Sequence, residues 1–97
     1  MSDTGISENV LLQIIELAKK NEVEKVILFG SRARGDYWRG SDIDLAVSRG
    51  DITNFTLDLE EQTDTLLTFD VINLEENIQD TLRESVNKEG KVLYEKI

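Results

Sequence analysis

Apolar positions along this chain change period several times, and each change marks an element. Val10, Leu11, Ile14, Ile15 and Ala18 recur at helical spacing behind Ser7, a candidate N-cap, with Glu8 in the first turn. This predicts a helix over about residues 7–21. Val26, Ile27, Leu28 and Phe29 then form an unbroken apolar run ending at Gly30, the pattern of a strand buried on both faces at the centre of a sheet. Residues 31–36 are small, polar and arginine-bearing, which suits a short helix starting directly off that strand, and a loop follows from Tyr37 to Ser41. From Asp42 the period becomes two. Ile43, Leu45 and Val47 alternate with Asp42 and Asp44, so one face of this second strand packs the core and the other displays carboxylates.

Asp51 can cap a third helix in which Ile52, Phe55, Leu59 and Leu66 mark the apolar stripe, weakened by Thr53, Thr56 and Thr63. Leu67 to Ile72 returns to strand character, with Phe69 and Val71 on one face and Asp70 on the other. Asn73 with Glu76 resembles a capping box, and Ile78, Leu82 and Val86 followed by Gly90 predict a fourth helix from there to the glycine. The tail Lys91 to Glu95 fits either an edge strand or a segment lying along the sheet. The order α-β-α-β-α-β-α predicts an α/β arrangement, a sheet covered mainly by helices. With 97 residues, we expect a single domain over residues 1–97 and a shallow substrate site. A bulky acceptor then needs a second domain, a second subunit or the acceptor protein itself to complete that site.

Composition narrows the chemistry. Twenty acidic residues against eleven basic ones give a formal charge of −9, which repels a phosphate backbone and argues against broad nucleic-acid binding. There is no cysteine and no histidine, so disulfides, thiolates and imidazole bases or ligands are all absent, and carboxylates, hydroxyls, Arg and Lys remain. No basic segment followed by an apolar stretch opens the chain, and no run approaches the roughly 20 apolar residues of a membrane span. We expect a cytoplasmic protein without a membrane partner.

Two features meet within one short stretch: Gly30-Ser31 at the end of a buried strand, and Asp42-x-Asp44 on the next. A glycine between strand and helix lets backbone N–H groups approach a phosphate, and Ser31 adds a hydroxyl. Alone, the pair is an ordinary tight turn. Aspartates two apart on a strand share a face, about 6–7 Å apart, and both reach one hard cation. Alone, they also suit a solvated edge strand. On a packed strand, however, like charges repel unless a cation lies between them, and Asp70 has the parity to join from a neighbouring strand. Three carboxylates without His or Cys suit Mg²⁺ or Mn²⁺ and phosphoryl or nucleotidyl transfer.

The stretch Gly30-Ser31-Arg32-Ala33-Arg34-Gly35, six residues and then Asp42-Ile43-Asp44-Leu45 resembles the signature of the minimal nucleotidyltransferases, small members of the DNA polymerase β superfamily. With Phe69-Asp70-Val71 the match runs over about residues 24–75, and it continues loosely into Glu89-Gly90-x-x-Leu93-Tyr94. The resemblance implies an α/β (α+β) fold like the polymerase β palm, with a mixed sheet of three to five strands flanked by helices. It also implies two Mg²⁺ ions, with Mn²⁺ as an alternative, and ATP or another nucleoside triphosphate as donor. By that resemblance Asp42 and Asp44 ligate the metals, Asp70 shares one and helps activate the attacking hydroxyl, and Gly30 and Ser31 bind the β and γ phosphates. Arg32 or Arg34 assists with the leaving pyrophosphate, an exposed helix charge paired with nearby acids being the equal alternative for each. Relatives often carry Arg-Pro before Asp-x-Asp, whereas this chain has Tyr37-Trp38-Arg39-Gly40 and no proline. Local packing is the simpler role for Tyr37 and Trp38, and both stay outside the expected site.

Three functions follow. Stand-alone members of this family are often antitoxins that transfer AMP to a tyrosine of a helical HEPN ribonuclease, and this is the leading expectation, by family analogy. The second is a subunit of an aminoglycoside-type nucleotidyltransferase, which usually needs an added helical domain. The third is an antitoxin that only binds its partner, against which the three mutually repelling carboxylates speak.

Overall fold

Four consecutive apolar residues are all buried only if a sheet is covered on both faces, and Val26 to Phe29 are all buried in the computed structural model, which describes residues 4–97. They belong to β1 (Lys25–Phe29). The other elements are α1 (Glu8–Lys20), α2 (Ser31–Arg34), β2 (Ile43–Ser48), α3 (Ile52–Gln62), β3 (Phe69–Asn73), α4 (Asp80–Glu89) and β4 (Lys91–Glu95). The strand order is β3-β2-β1-β4. β1 runs antiparallel to β2 and β4, and β2 parallel to β3. This is the mixed, helix-flanked α/β sheet the sequence predicts, and the tail is its edge strand.

Parity along the strands divides the core into two layers. Val26, Leu28, Ile43, Leu45, Val47 and Phe69 pack against α1 and α3 through Val10, Ile14, Leu17, Phe55 and Leu59. Ile27, Phe29 and Ala46 pack on the opposite face beneath Val86 of α4, with Ile72, Leu74 and Leu82 at the margin. β2 therefore buries its odd positions under two helices, while its even positions, Asp44 among them, face the side that α4 covers.

Helix ends depart from the sequence pattern in two places. α1 starts as expected, with Ser7 Oγ accepting the Val10 N–H and Lys19 and Lys20 in its last turn. α3 is capped by Asp51, whose carboxylate accepts the Asn54 N–H, but it stops at Gln62, short of the fully exposed Leu66. The Thr56 and Thr63 hydroxyls bond back to the carbonyls of Ile52 and Leu59, and the Asp64 N–H goes to Gln13 Oε1 instead of continuing the helix. α4 begins at Asp80, not at Asn73. Asn73 is still paired with Val47 in the sheet, and its side-chain oxygen accepts the Glu75 N–H in a turn that ends the strand.

Between α1 and α3 lies a buried carboxylate, Asp58. It accepts hydrogen bonds from Asn21 (3.0 Å), Gln62 (3.0 Å) and Asn54 (3.4 Å) and pairs with Lys20 at 3.3 Å. The Asn21 bond above all holds Asp58 below the ordinary carboxylate range. Among the described residues, no helix is long and apolar enough to cross a membrane.

Gly90 follows α4 as expected, with its N–H donating to Val86 O, but its backbone is extended (φ −67°, ψ 143°), not left-handed. Space requires the glycine: a Cβ would collide with Val86 O and the Ile27 side chain, so α4 ends in direct contact with β1. We expect Gly90→Ala to destabilise the fold by about 1–3 kcal/mol through overpacking. Urea unfolding at an unchanged m-value would measure this, and an unchanged midpoint would refute the close-contact role.

Candidate active site

The site begins where β1 ends. Gly30 adopts φ +79°, a region that disfavours side chains, and a Cβ there would collide with the Asp44 carboxylate. Its carbonyl accepts the N–H groups of Ala33 (3.1 Å) and Arg34 (3.0 Å), which starts α2. The N–H groups of Ser31 and Arg32 precede those donors and have no partner within the helix. Gly35, at φ +91°, closes the single turn by donating to Ser31 O.

Strand pairing gathers the carboxylates. Asp44 lies opposite Phe29 across β1–β2 and opposite Asp70 across the parallel β2–β3 pair, while Asp42 directly precedes β2. Asp44 is half-buried, and Asp42 and Asp70 are exposed. Among the described residues, none of the three side chains accepts a hydrogen bond or forms an ion pair at contact distance. The Asp44 carboxyl is pushed up to about 6, first by burial, then by the charges of Asp70 and Asp42, with Arg34 opposing.

Among the described residues, no three acidic side chains form a ready-made metal cage. That arrangement still fits Mg²⁺, which is usually held by one or two carboxylates together with substrate phosphates. The donors are hard oxygens without other partners, and the central one lies against the glycine of the candidate phosphate turn.

The two arginines of α2 have opposite environments. Arg32 is 1% exposed. It donates to Thr4 O (2.8 Å), Ser41 O (3.0 Å) and Arg39 O (3.2 Å), with its guanidinium 4.9 Å from the Tyr37 ring centre. The structure thus departs from both roles expected of Arg32, pyrophosphate contact and exposed ion pair: it ties the segment before Asp42 to the start of the chain. Arg34 is the exposed one, pairing with Asp36 (3.1 Å) and Glu89 (3.2 Å). Tyr37 packs locally, as expected. Trp38 lies with its ring over Gly40 but is 72% exposed, its backbone N–H donating to Ser41 Oγ. The roles of Ser41 and Glu89 were not legible in the sequence, because both depend on contacts with a helix distant along the chain or across a loop. A cavity of about 270 Å³ lies elsewhere, lined by Leu12, Gln13, Glu16, Leu17 and Gln62, and includes none of the site residues.

Comparison with known proteins places this geometry. Residues 12–97 match the family model described as polymerase beta nucleotidyltransferase. A Methanocaldococcus jannaschii protein, provisionally described as a protein adenylyltransferase, is 36% identical over 84 residues, covering 77% of this chain and 82% of the relative. A crystal structure of a toxin–antitoxin with AMP-PNP superposes at a TM-score of 0.71 and 29% identity, covering 88% of this chain and 73% of that one. The toxin–antitoxin MntA–HpeT, in a variant with two aspartates two positions apart replaced by glutamate, superposes at 0.70 and 27% identity over the same shares.

Two predictions follow from these environments. Arg32→Ala leaves the carbonyls of Thr4 and Ser41 without their donor in buried surroundings and that of Arg39 without its donor nearer the surface, and should cost about 3 kcal/mol or more, whereas Arg34→Ala should change stability little. Denaturant unfolding of the pair tests this, and equal costs would contradict the division. For Asp44 the folded carboxyl titrates above its unfolded value, so its contribution to stability is present below pH 4 and is lost as pH rises through about 6. In metal-free buffer, Asp44→Asn should therefore raise the melting temperature at pH 8 and flatten its decline between pH 4 and 7. Parallel wild-type and variant profiles would overturn the crowded-carboxylate reading.

Proposed function

The chain belongs to the polymerase beta nucleotidyltransferase family, and from that premise we propose that it transfers AMP from ATP to a hydroxyl of a partner protein. The observation carrying this reading is the strand register: Asp44 stands beside Asp70 on one side and against Gly30 on the other, so carboxylates and phosphate turn are contiguous. Divalent ions, two Mg²⁺ with Mn²⁺ as an alternative, would neutralise the triphosphate and ease deprotonation of the acceptor when bound. Asp42 and Asp44 would hold them, with Asp70 sharing one.

The chain's own groups supply the rest. The Gly30–Ser31 turn binds β and γ phosphate oxygens through backbone N–H groups and the Ser31 hydroxyl. Arg34, the exposed arginine of α2, faces the charge of the leaving pyrophosphate, and Arg32 has no part in that contact. The acceptor oxygen bonds to the α-phosphorus as the bond to pyrophosphate breaks, and Asp70, exposed on the outer strand, draws off the hydroxyl proton to solvent.

A protein acceptor is supported by the adenylyltransferase description of the M. jannaschii relative and by the toxin–antitoxin neighbours. ATP is supported by the neighbour solved with AMP-PNP. The exposure of Asp42 and Asp70 also suits an acceptor that brings its own walls to the site. We assign the partner to the HEPN-type helical proteins and the reaction to the cytoplasm.

The test incubates the protein with Mg²⁺, each nucleoside triphosphate and the protein encoded beside it, and weighs both chains by intact-mass spectrometry. Wild type should add AMP to the partner. Asp42→Asn and Asp44→Asn should abolish the addition, and Asp70→Asn should keep most nucleotide affinity while losing at least about 100-fold in transfer rate. An Asp70→Asn variant that protects cells from the partner while leaving its mass unchanged would sink the enzymatic reading in favour of binding alone.

A further inference from the structure

We propose that Glu89, the last residue of α4, is a positioning residue that holds Arg34 in place to receive the phosphates of the donor nucleotide. The inference rests on the proposed nucleotidyl-transfer reading and adds a residue outside the aspartates and the phosphate turn.

Arg34 and Ser31 are three residues apart on α2 and share its face, so Arg34 leaves the helix on the side that Ser31 begins. Its Nη1 donates to both oxygens of Glu89, at 3.2 and 3.3 Å, and its Nε to both oxygens of Asp36, at 3.3 and 3.1 Å. Nη2 makes no bond among the described residues and keeps both its protons for a ligand.

The two acids that hold it differ in rigidity. The Glu89 side chain is 19% exposed and that of Asp36 is 63% exposed. Glu89 immediately precedes Gly90, where α4 is pressed against Ile27 of β1, and β1 leads directly into Gly30. Glu89 and the phosphate turn are thus anchored to the same strand. Exposed ion pairs contribute little to stability, and the consequence of this one is preorganisation: an arginine fixed in one geometry loses less freedom on meeting a phosphate.

The full chain is tested with Mg²⁺ and AMP-PNP by calorimetry, and with the partner by initial-rate kinetics. Glu89→Gln should weaken AMP-PNP binding about 5- to 10-fold and raise KM for ATP in proportion, with unchanged melting temperature. In an Arg34→Ala background the same substitution should have no further effect on affinity. Unchanged or tighter binding by Glu89→Gln, or an equal loss in both backgrounds, overturns the proposal, tighter binding meaning that Glu89 acts as a repelling charge. Gly30→Val distinguishes the underlying reading. Loss of binding there with none at Glu89→Gln rejects only this proposal, whereas wild type that fails to bind Mg²⁺ and AMP-PNP rejects both.

Discussion

Antiparallel pairing of β1 with β2 sets Phe29 opposite Asp44, and the contact this forces between the Asp44 carboxylate and Gly30 organises the whole site. Gly30 has no room for a Cβ and adopts a backbone angle that other residues disfavour, so space and conformation select the same residue. Its carbonyl then starts α2, the turn that carries Ser31 and both arginines. Moving the register of β2 by one residue would turn Asp44 into the layer beneath α1 and α3 and bring Leu45 out, which the buried odd positions of β2 forbid. Core packing on one face therefore fixes the chemistry on the other.

Two carboxylates show how burial and hydrogen bonding move acids of one type in opposite directions. Asp58 has amide donors from Asn21, Asn54 and Gln62 as well as Lys20, and is held low. Among the described residues Asp44 has no such donors, and burial followed by the charges of Asp70 and Asp42 pushes it up. In a chain of net charge −9, leaving the site carboxylates without donors costs stability in the absence of a counter-charge. Among the described residues, the same property leaves their oxygens without a competing donor.

The arginines of α2 show a division imposed by helix geometry. Residues two apart on a helix point about 200° away from each other, so Arg32 and Arg34 cannot share an environment. Arg32 turns inward, where only main-chain carbonyls and the Tyr37 ring receive it, and fixes Ser41 immediately before Asp42. Arg34 turns outward between Asp36 and Glu89. One fixes the protein's own backbone and the other pairs with acidic side chains.

The periods of the apolar residues determined the strands on their own. Val26 to Phe29 had the pattern of a central strand, and the odd positions of β2 together with Phe69 told which face of each strand is packed, because side-chain direction follows backbone parity without tertiary help. The glycine and the spaced aspartates also stood in the sequence as a recognisable pattern. Helix ends were another matter. Asn73 with Glu76 reads as a helix start, but pairing with Val47 kept Asn73 in the sheet and α4 begins at Asp80, while threonine hydroxyls and Gln13 ended α3 before Leu66. The tail became a strand because β1 had an open edge to offer it. Only the tertiary structure buried Arg32 and brought Glu89 to Arg34, since local sequence carries no information about contacts made more than fifty residues away.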